Sequence, residues 1–175
     1  MDIKSISGKL LISVDGDNLG NADLVNAYLR NADLGDAYLV NANLRNANLR
    51  DADLRSAFID RPQINIMKHS ESKLFAFKMV TKEYKSPING NLSYNIGDNI
   101  EVKNSNIDER VTCAAGINVA DETWIKNNWC YGRLLLVSFY EKDIAAIPYA
   151  TDGKFRLHRC TVEKEILPSE IGIKE

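Results

Sequence analysis

Between Asp17 and Asp60 the apolar positions fall into blocks of five. Leucine recurs at Leu19, Leu24, Leu29, Leu34, Leu39, Leu44, Leu49 and Leu54, and Ile59 takes the ninth place. Alanine stands two residues earlier in each block from the second on, at Ala22, Ala27, Ala32, Ala37, Ala42, Ala47, Ala52 and Ala57. A period of five fits neither a helix, which repeats its face every 3.6 residues, nor a strand, which alternates every 2. The chain must turn once per block for every Ala and Leu to reach a common interior. The small Ala leaves room for an opposing Leu across a narrow core. Asn and Asp near the turns tolerate unusual backbone angles and bond to their own backbone.

The flanks read differently. In residues 1–16, Leu10, Ile12 and Val14 alternate as a half-buried strand would, and Asp15, Gly16 and Asp17 signal a turn. This stretch is expected to cap one end of the repeat. At Asp60, Arg61 and Pro62 the period stops. Residues 61–72 read as a connector and 73–175 as a second domain. There the pattern predicts strands over 73–80, 92–94, 99–102, 133–140, 144–148 and 155–166. A turn is expected at 86–91, with Asn89 and Gly90 its strongest signal. One helix is expected over 120–129, with Asp121 as N-cap. Such a mixture is α+β.

The unit A-[DN]-L-x-x over 17–60 resembles the pentapeptide-repeat family; eight of nine centres are Leu and eight of nine blocks carry the Ala. The resemblance implies a right-handed, four-sided β-solenoid with one block per side. The fold class expected is therefore mainly β: a short right-handed quadrilateral β-solenoid followed by a compact α+β C-terminal domain. At about 20 residues per coil, nine blocks make little more than two coils. At the ~4.8 Å strand spacing the stack is about 11 Å tall. Arg30 should lie over Arg50, Asp33 over Asp53 and Tyr38 over Phe58. The stretch from Cys113 to Val119, with Trp124, the run from Asp143 to Pro148 and the run from Thr151 to Arg156, resembles a domain of uncharacterised function that follows such repeats in phage and bacterial proteins. That resemblance carries no activity with it.

Composition narrows the roles. The 175 residues hold 22 Lys+Arg and 24 Asp+Glu for a net charge of −2, with 45% hydrophobic residues. That describes a folded chain without a polybasic arm. No apolar run approaches the ~20 residues of a membrane helix. Met1 to Leu11 is too short and too polar for a signal peptide. Cys113, Cys130 and Cys160 are odd in number and contain no C-x-x-C, so free thiols in a reducing, cytoplasmic setting are expected, with no metal and no cofactor. A turn of duplex DNA rises about 34 Å, three times the stack height. Arg30, Arg45, Arg50 and Arg55 also offset half of the eight Asp between residues 15 and 60. Mimicry or binding of nucleic acid is therefore not expected.

Candidate sites are sparse. Cys113 and His158 offer a nucleophile and a base, with Asp143 or Asp152 to orient them; the alternative is ordinary packing. Lys154, Arg156 and Arg159 sit where phosphates are met, or form an ordinary charged turn. Trp124 offers a partner surface, or packs in a core with Trp129. Phe77, Lys78, Glu163 and Glu165 lie where a split sheet places groups for nucleotide chemistry, but no Gly-rich phosphate loop is present. A stack too short to seal its own ends, with no convergent catalytic set, predicts a non-catalytic scaffold or protein-interaction module that self-associates into a homo-oligomer. The alternative is a phage- or host-directed effector with a cryptic enzymatic or nucleotide-binding site in the C-terminal domain.

Overall fold

A computed structural model describes residues 1–60, 67–68, 73–88 and 90–174. Apart from the strand at 67–68, the connector expected over 61–72 lies outside these residues, as does Asn89 of the expected turn. The described chain is mainly β, with one short helix. It divides into two compact units. The first combines residues 1–60 with two stretches from much later in the chain, Asp108–Cys113 and Ile147–Asp152; the second holds the remaining described residues.

In the repeat segment each turn has one form. The N–H of Ala32 donates to the carbonyl of Leu29 at 3.0 Å, that of Ala37 to Leu34 at 3.1 Å, and the same bond recurs in every block. The third residue of each turn has a left-handed backbone: Asn21, Asn26, Asn31, Asp36, Asn41, Asn46, Asp51 and Ser56 all have φ between 57° and 60°. A positive φ at that one position is the type II requirement, which Gly or Asn meets at least cost. The Asn or Asp between Ala and Leu does a second job. Asp23, Asn43, Asn48 and Asp53 each accept the N–H two residues on, at 3.2, 3.4, 3.2 and 3.0 Å. Thus much of the polar content of the repeat is consumed by its own turns.

Successive coils bond to each other. Leu24 donates to Asn43 and Asn43 to Ala22, Leu29 to Asn48, and Leu34 to Asp53, all near 2.9 Å. Asp23↔Asn43, Tyr28↔Asn48 and Asp33↔Asp53 are parallel bridges. Regular strand is confined to β3 (Tyr38–Leu39) and β4 (Phe58–Ile59), which pair in parallel. The segment therefore lacks the continuous sheet walls of the β-solenoid that the resemblance implies. With a hydrogen-bonded turn in every five residues, no side is long enough to extend a ladder past one or two pairs.

Leu19, Leu24, Leu29, Leu34, Leu39, Leu44 and Leu49 are buried, with Ala27, Ala32, Ala47 and Ala52 between them. Leu54, Ile59, Ala22, Ala37, Ala42 and Ala57 pack against this core but are only partly buried. The N-terminal cap is a hairpin of β1 (Asp2–Lys4) and β2 (Leu10–Ser13). Its anchor is Ile3, buried in the repeat core, whereas Leu10 points to solvent and is 52% exposed. The strand that docks is β1: Lys4 accepts from Asp33 at 2.8 Å, and Ile6 donates to Asn31 at 2.9 Å.

The opposite end of the coil is met by the two late stretches. Ala150, buried in the same core, accepts the N–H of Asn46 at 2.9 Å. Tyr149 donates to Glu109 at 2.9 Å, tying one stretch to the other. Arg110 donates to the carbonyl of Ala52 at 2.8 Å, and Asp108 holds its guanidinium through Nε at 2.8 Å and Nη2 at 2.9 Å. The second end of a stack too short to seal itself is thus covered by chain that follows the repeat.

The second unit is one antiparallel sheet. Its strands are β5 (Met67–Lys68), β6 (Leu74–Val80), β7 (Asn99–Glu101), β8 (Ile117–Ala120), β9 (Arg133–Phe139), β10 (Ile144–Ala146), β11 (Lys154–Leu157) and β12 (Arg159–Ile166). The order is β10-β11-β8-β6-β9-β12-β7, with β5 also on β6. Beside it lies a single helix, α1 (Glu122–Asn128), whose N-cap Asp121 accepts from Trp124 at 2.8 Å. The seven-residue α1 falls inside the span 120–129 expected for the one helix, beside a sheet that is antiparallel throughout. β8 falls in the stretch read only as motif-like, and the strand expected over 92–94 is a lone bridge, Lys85↔Ser93.

The long strand expected over 155–166 breaks at His158. There the chain leaves β11 and enters β12, four places away in the sheet. Four strand spacings are about 19 Å in a flat sheet, whereas two residues reach about 7 Å. The sheet must therefore roll until its ends approach. Consistent with this, the rings of Phe139 on β9 and Phe155 on β11 lie 5.6 Å apart although their strands are not neighbours. The interior face carries Leu135, Val137, Val119 and Val162; Phe77, Ile125, Leu134 and Ile166 form a core on the other face, under α1.

Candidate functional site

Three of the four arginines of the repeat pair with Asp51 or Asp53. Arg30 reaches Asp51 at 3.3 Å, Arg50 lies 3.8 Å from the same carboxylate, and Arg55 holds Asp53 at 2.6 Å. Hydrogen bonds from the Arg55 side chain and backbone bring the Asp53 carboxyl down to about 2. The stacking expected across coils is present for Asp33 with Asp53 and for Tyr38 with Phe58, whose rings are 6.4 Å apart at 41°. Tyr28, Tyr38 and Phe58 project from the coil, 63%, 48% and 62% exposed. They occupy the block position that elsewhere holds an Asx-turn residue, so each gives up a turn-bracing bond to place a ring in solvent.

The residues singled out in the C-terminal half fall in both units. Cys113 is exposed in the first unit, and His158 lies in the second, at the β11–β12 break. His158 uses its N–H on Asp143 at 2.7 Å and its carbonyl on Val102 at 2.8 Å. Arg156 is wholly buried, with Nε on the carbonyl of Asn106 at 2.9 Å, so it is out of reach of a phosphate. Expected among phosphate-meeting or ordinary turn charges, it is instead held inside by the chain around Asn106. Arg159 is exposed and pairs with Glu101 at 3.5 Å. Lys154 and Trp124 do meet: the ammonium stands 5.1 Å from the ring centroid. Trp124 is partly buried against the core under α1, as is Trp129.

Two groupings escaped the sequence reading in detail. On β12, Glu163 accepts from Lys73 at 2.7 Å and from Ser138, while Glu165 accepts from the Tyr84 hydroxyl at 2.7 Å and from Arg133 at 2.9 Å. Tyr84 has a left-handed backbone, φ 59°, unusual for an aromatic residue. Arg133 stacks on its ring at 4.5 Å and bonds the carbonyl of Lys82 at 2.8 Å. The second grouping is Lys78 with Tyr94 inside the rolled sheet. Lys78 appeared only as a strand-end charge, and Tyr94 drew no notice because a lone Tyr in a short strand carries no pattern.

Among the described residues no group of three or more His, Cys, Asp or Glu side chains is placed to hold a metal. No helix among the described residues is long and apolar enough to cross a membrane. Comparison with known families matches residues 18–58 to pentapeptide repeats, in eight copies. Neither the curated proteins nor the solved structures contain a match to the chain. What the comparisons establish is that the segment with the left-handed Asn and Asp turns consists of pentapeptide repeats.

Proposed function

We propose that this chain is a non-catalytic protein-interaction or scaffold module whose binding surface is the outer wall of the repeat segment, built as a miniature four-sided coil of β-solenoid type. The observation that carries the reading is the exposed pair Tyr38 and Phe58, held in contact on a frame bonded from coil to coil. Aromatic rings on a rigid backbone bury large area at low entropic cost when a partner arrives. Arg30, Arg50 and Arg55 are paired with Asp51 or Asp53, which leaves the aromatic pair as the apolar part of a wall that also carries charge. Ile3 and Ala150 belong to the repeat core at its two ends, so self-association is proposed through the outer wall rather than through the ends.

The test is capture from a host lysate with the full chain as bait, beside a Tyr38→Ser, Phe58→Ser double variant that keeps its melting temperature. A stoichiometric partner held by the parent and lost by the variant is the expected result. Equal retention by both, or turnover of a small molecule that depends on Cys113, defeats the reading.

A further inference from the structure

Inside the rolled sheet, on the face that carries Leu135 and Val137, stands a buried lysine. Lys78 projects inward from β6 beside Leu135, its partner on β9. Its side chain is 5% exposed; Nζ donates to the carbonyl of Asn118 at 2.9 Å and stands 5.1 Å from the centroid of the Tyr94 ring. Tyr94 is 0% exposed, and its hydroxyl has no hydrogen-bond partner among the described residues. Cys160, on β12 and facing the same interior, interacts electrostatically with both Lys78 and Tyr94. Buried hydroxyls are almost always bonded, so an unbonded one whose ring lies under a buried ammonium calls for an acceptor.

We propose that Lys78 and Tyr94 form a binding site for a small anion inside the rolled sheet, one that presents a carboxylate or phosphate oxygen to the Tyr94 hydroxyl and the Lys78 ammonium together. The protonation states suit an acceptor. Burial pushes the Tyr94 phenol well above its ordinary value and the Cys160 thiol up to about 12, so both keep their protons at neutral pH and remain donors. The acid of the neighbourhood, Asp143, directs its carboxylate to the N–H of Tyr140 at 2.9 Å. A barrel of about eight strands has an interior just wide enough for side chains or one small ligand, which limits the occupant to a few heavy atoms. Entry is easiest between β6 and β8, which share only the pair Phe77↔Ala120, whereas β6 and β9 are paired over seven residues.

The experiment is thermal melting of the full chain in sodium acetate, sodium phosphate and sodium chloride at matched ionic strength and pH 7, with each anion titrated. The expected result is a saturable rise of several degrees with acetate or phosphate over chloride. It should be absent in Tyr94→Phe and kept in Tyr131→Phe, a control at an exposed tyrosine. Acetate alone acting points to a carboxylate ligand, phosphate alone to a phosphate. A rise that persists in Tyr94→Phe overturns the site, as does a parent chain indifferent to both anions. Should Tyr94→Phe fail to fold, the ultraviolet difference spectrum of the parent decides: a saturable tyrosine perturbation with the same anion supports the site, and a flat spectrum overturns it.

Discussion

The backbone N–H of Asn46, in the last coil of the repeat, is bonded to the carbonyl of Ala150, in a stretch that belongs by sequence to the far end of the chain. Ala150 is also part of the repeat core. The pentapeptide segment is therefore completed by residues outside it. Placing a carboxylate there, as in Ala150→Asp, buries an unpaired charge and should cost about 2–4 kcal/mol. Urea unfolding of the full chain measures it. A chain ending at residue 60 should lack cooperative unfolding altogether.

The left-handed turn positions give a graded series. At Asn26, φ 58°, an exchange to Gly keeps the backbone accessible and should change stability by less than about 0.5 kcal/mol. Asn26→Ile forces a β-branched residue into the same angles and should cost about 1–2 kcal/mol or more. Equal effects from the two exchanges in chemical denaturation would show that the turns do not select for backbone angle.

In the middle of the coil, Leu34 is 2% exposed. Leu34→Ala leaves a cavity in a core one side chain deep and should destabilise by about 2–5 kcal/mol. A melting temperature unchanged by this exchange would contradict the inward placement of the fourth block.

Gly132 tests the second unit. Its φ is 100°, and a Cβ added there would sit 2.2 Å from the carbonyl oxygen of Val80. Because the obstacle is backbone of the central strand β6, Gly132→Ala should cost more than about 2 kcal/mol. Circular dichroism melting is the check.

Glu165 gives a pH dependence. The Tyr84 hydroxyl bonds its carboxylate and Arg133 lies beside it, so its pKa is lowered in the folded chain. A carboxyl with a lowered folded value stabilises fully above its unfolded value, near 4.3, and loses that contribution as pH falls through the folded one. Glu165→Gln should therefore lower the urea midpoint at pH 7. The gap to the parent should narrow below about pH 4, and a gap constant between pH 7 and 3 would remove the carboxylate from the explanation.

Local order was legible in the sequence. The five-residue period placed the buried leucines, the Asn and Asp content anticipated the turns, and Asp121 marked the start of α1. What stayed hidden is pairing between distant residues. Nothing in the sequence near Glu109 or Tyr149 reports that these stretches finish a coil ended at residue 60, because two short segments have no period. Depth was also misjudged: Arg156 was expected as a surface charge and is buried, and Leu10, expected in a half-buried alternation, is exposed. Tyr94 and Lys78 belong to the same class, since only the rolled sheet brings them together.

The late closure of the repeat has a consequence for biosynthesis. At about 5–20 residues per second on a ribosome, roughly 5–20 s separate the emergence of residue 60 from that of residue 150. During that interval the last coil has its leucines and ladder groups facing solvent or a chaperone instead of Ala150. A nascent chain stalled before residue 147 is the species that should bind chaperones and aggregate, and release of the full chain should end that vulnerability.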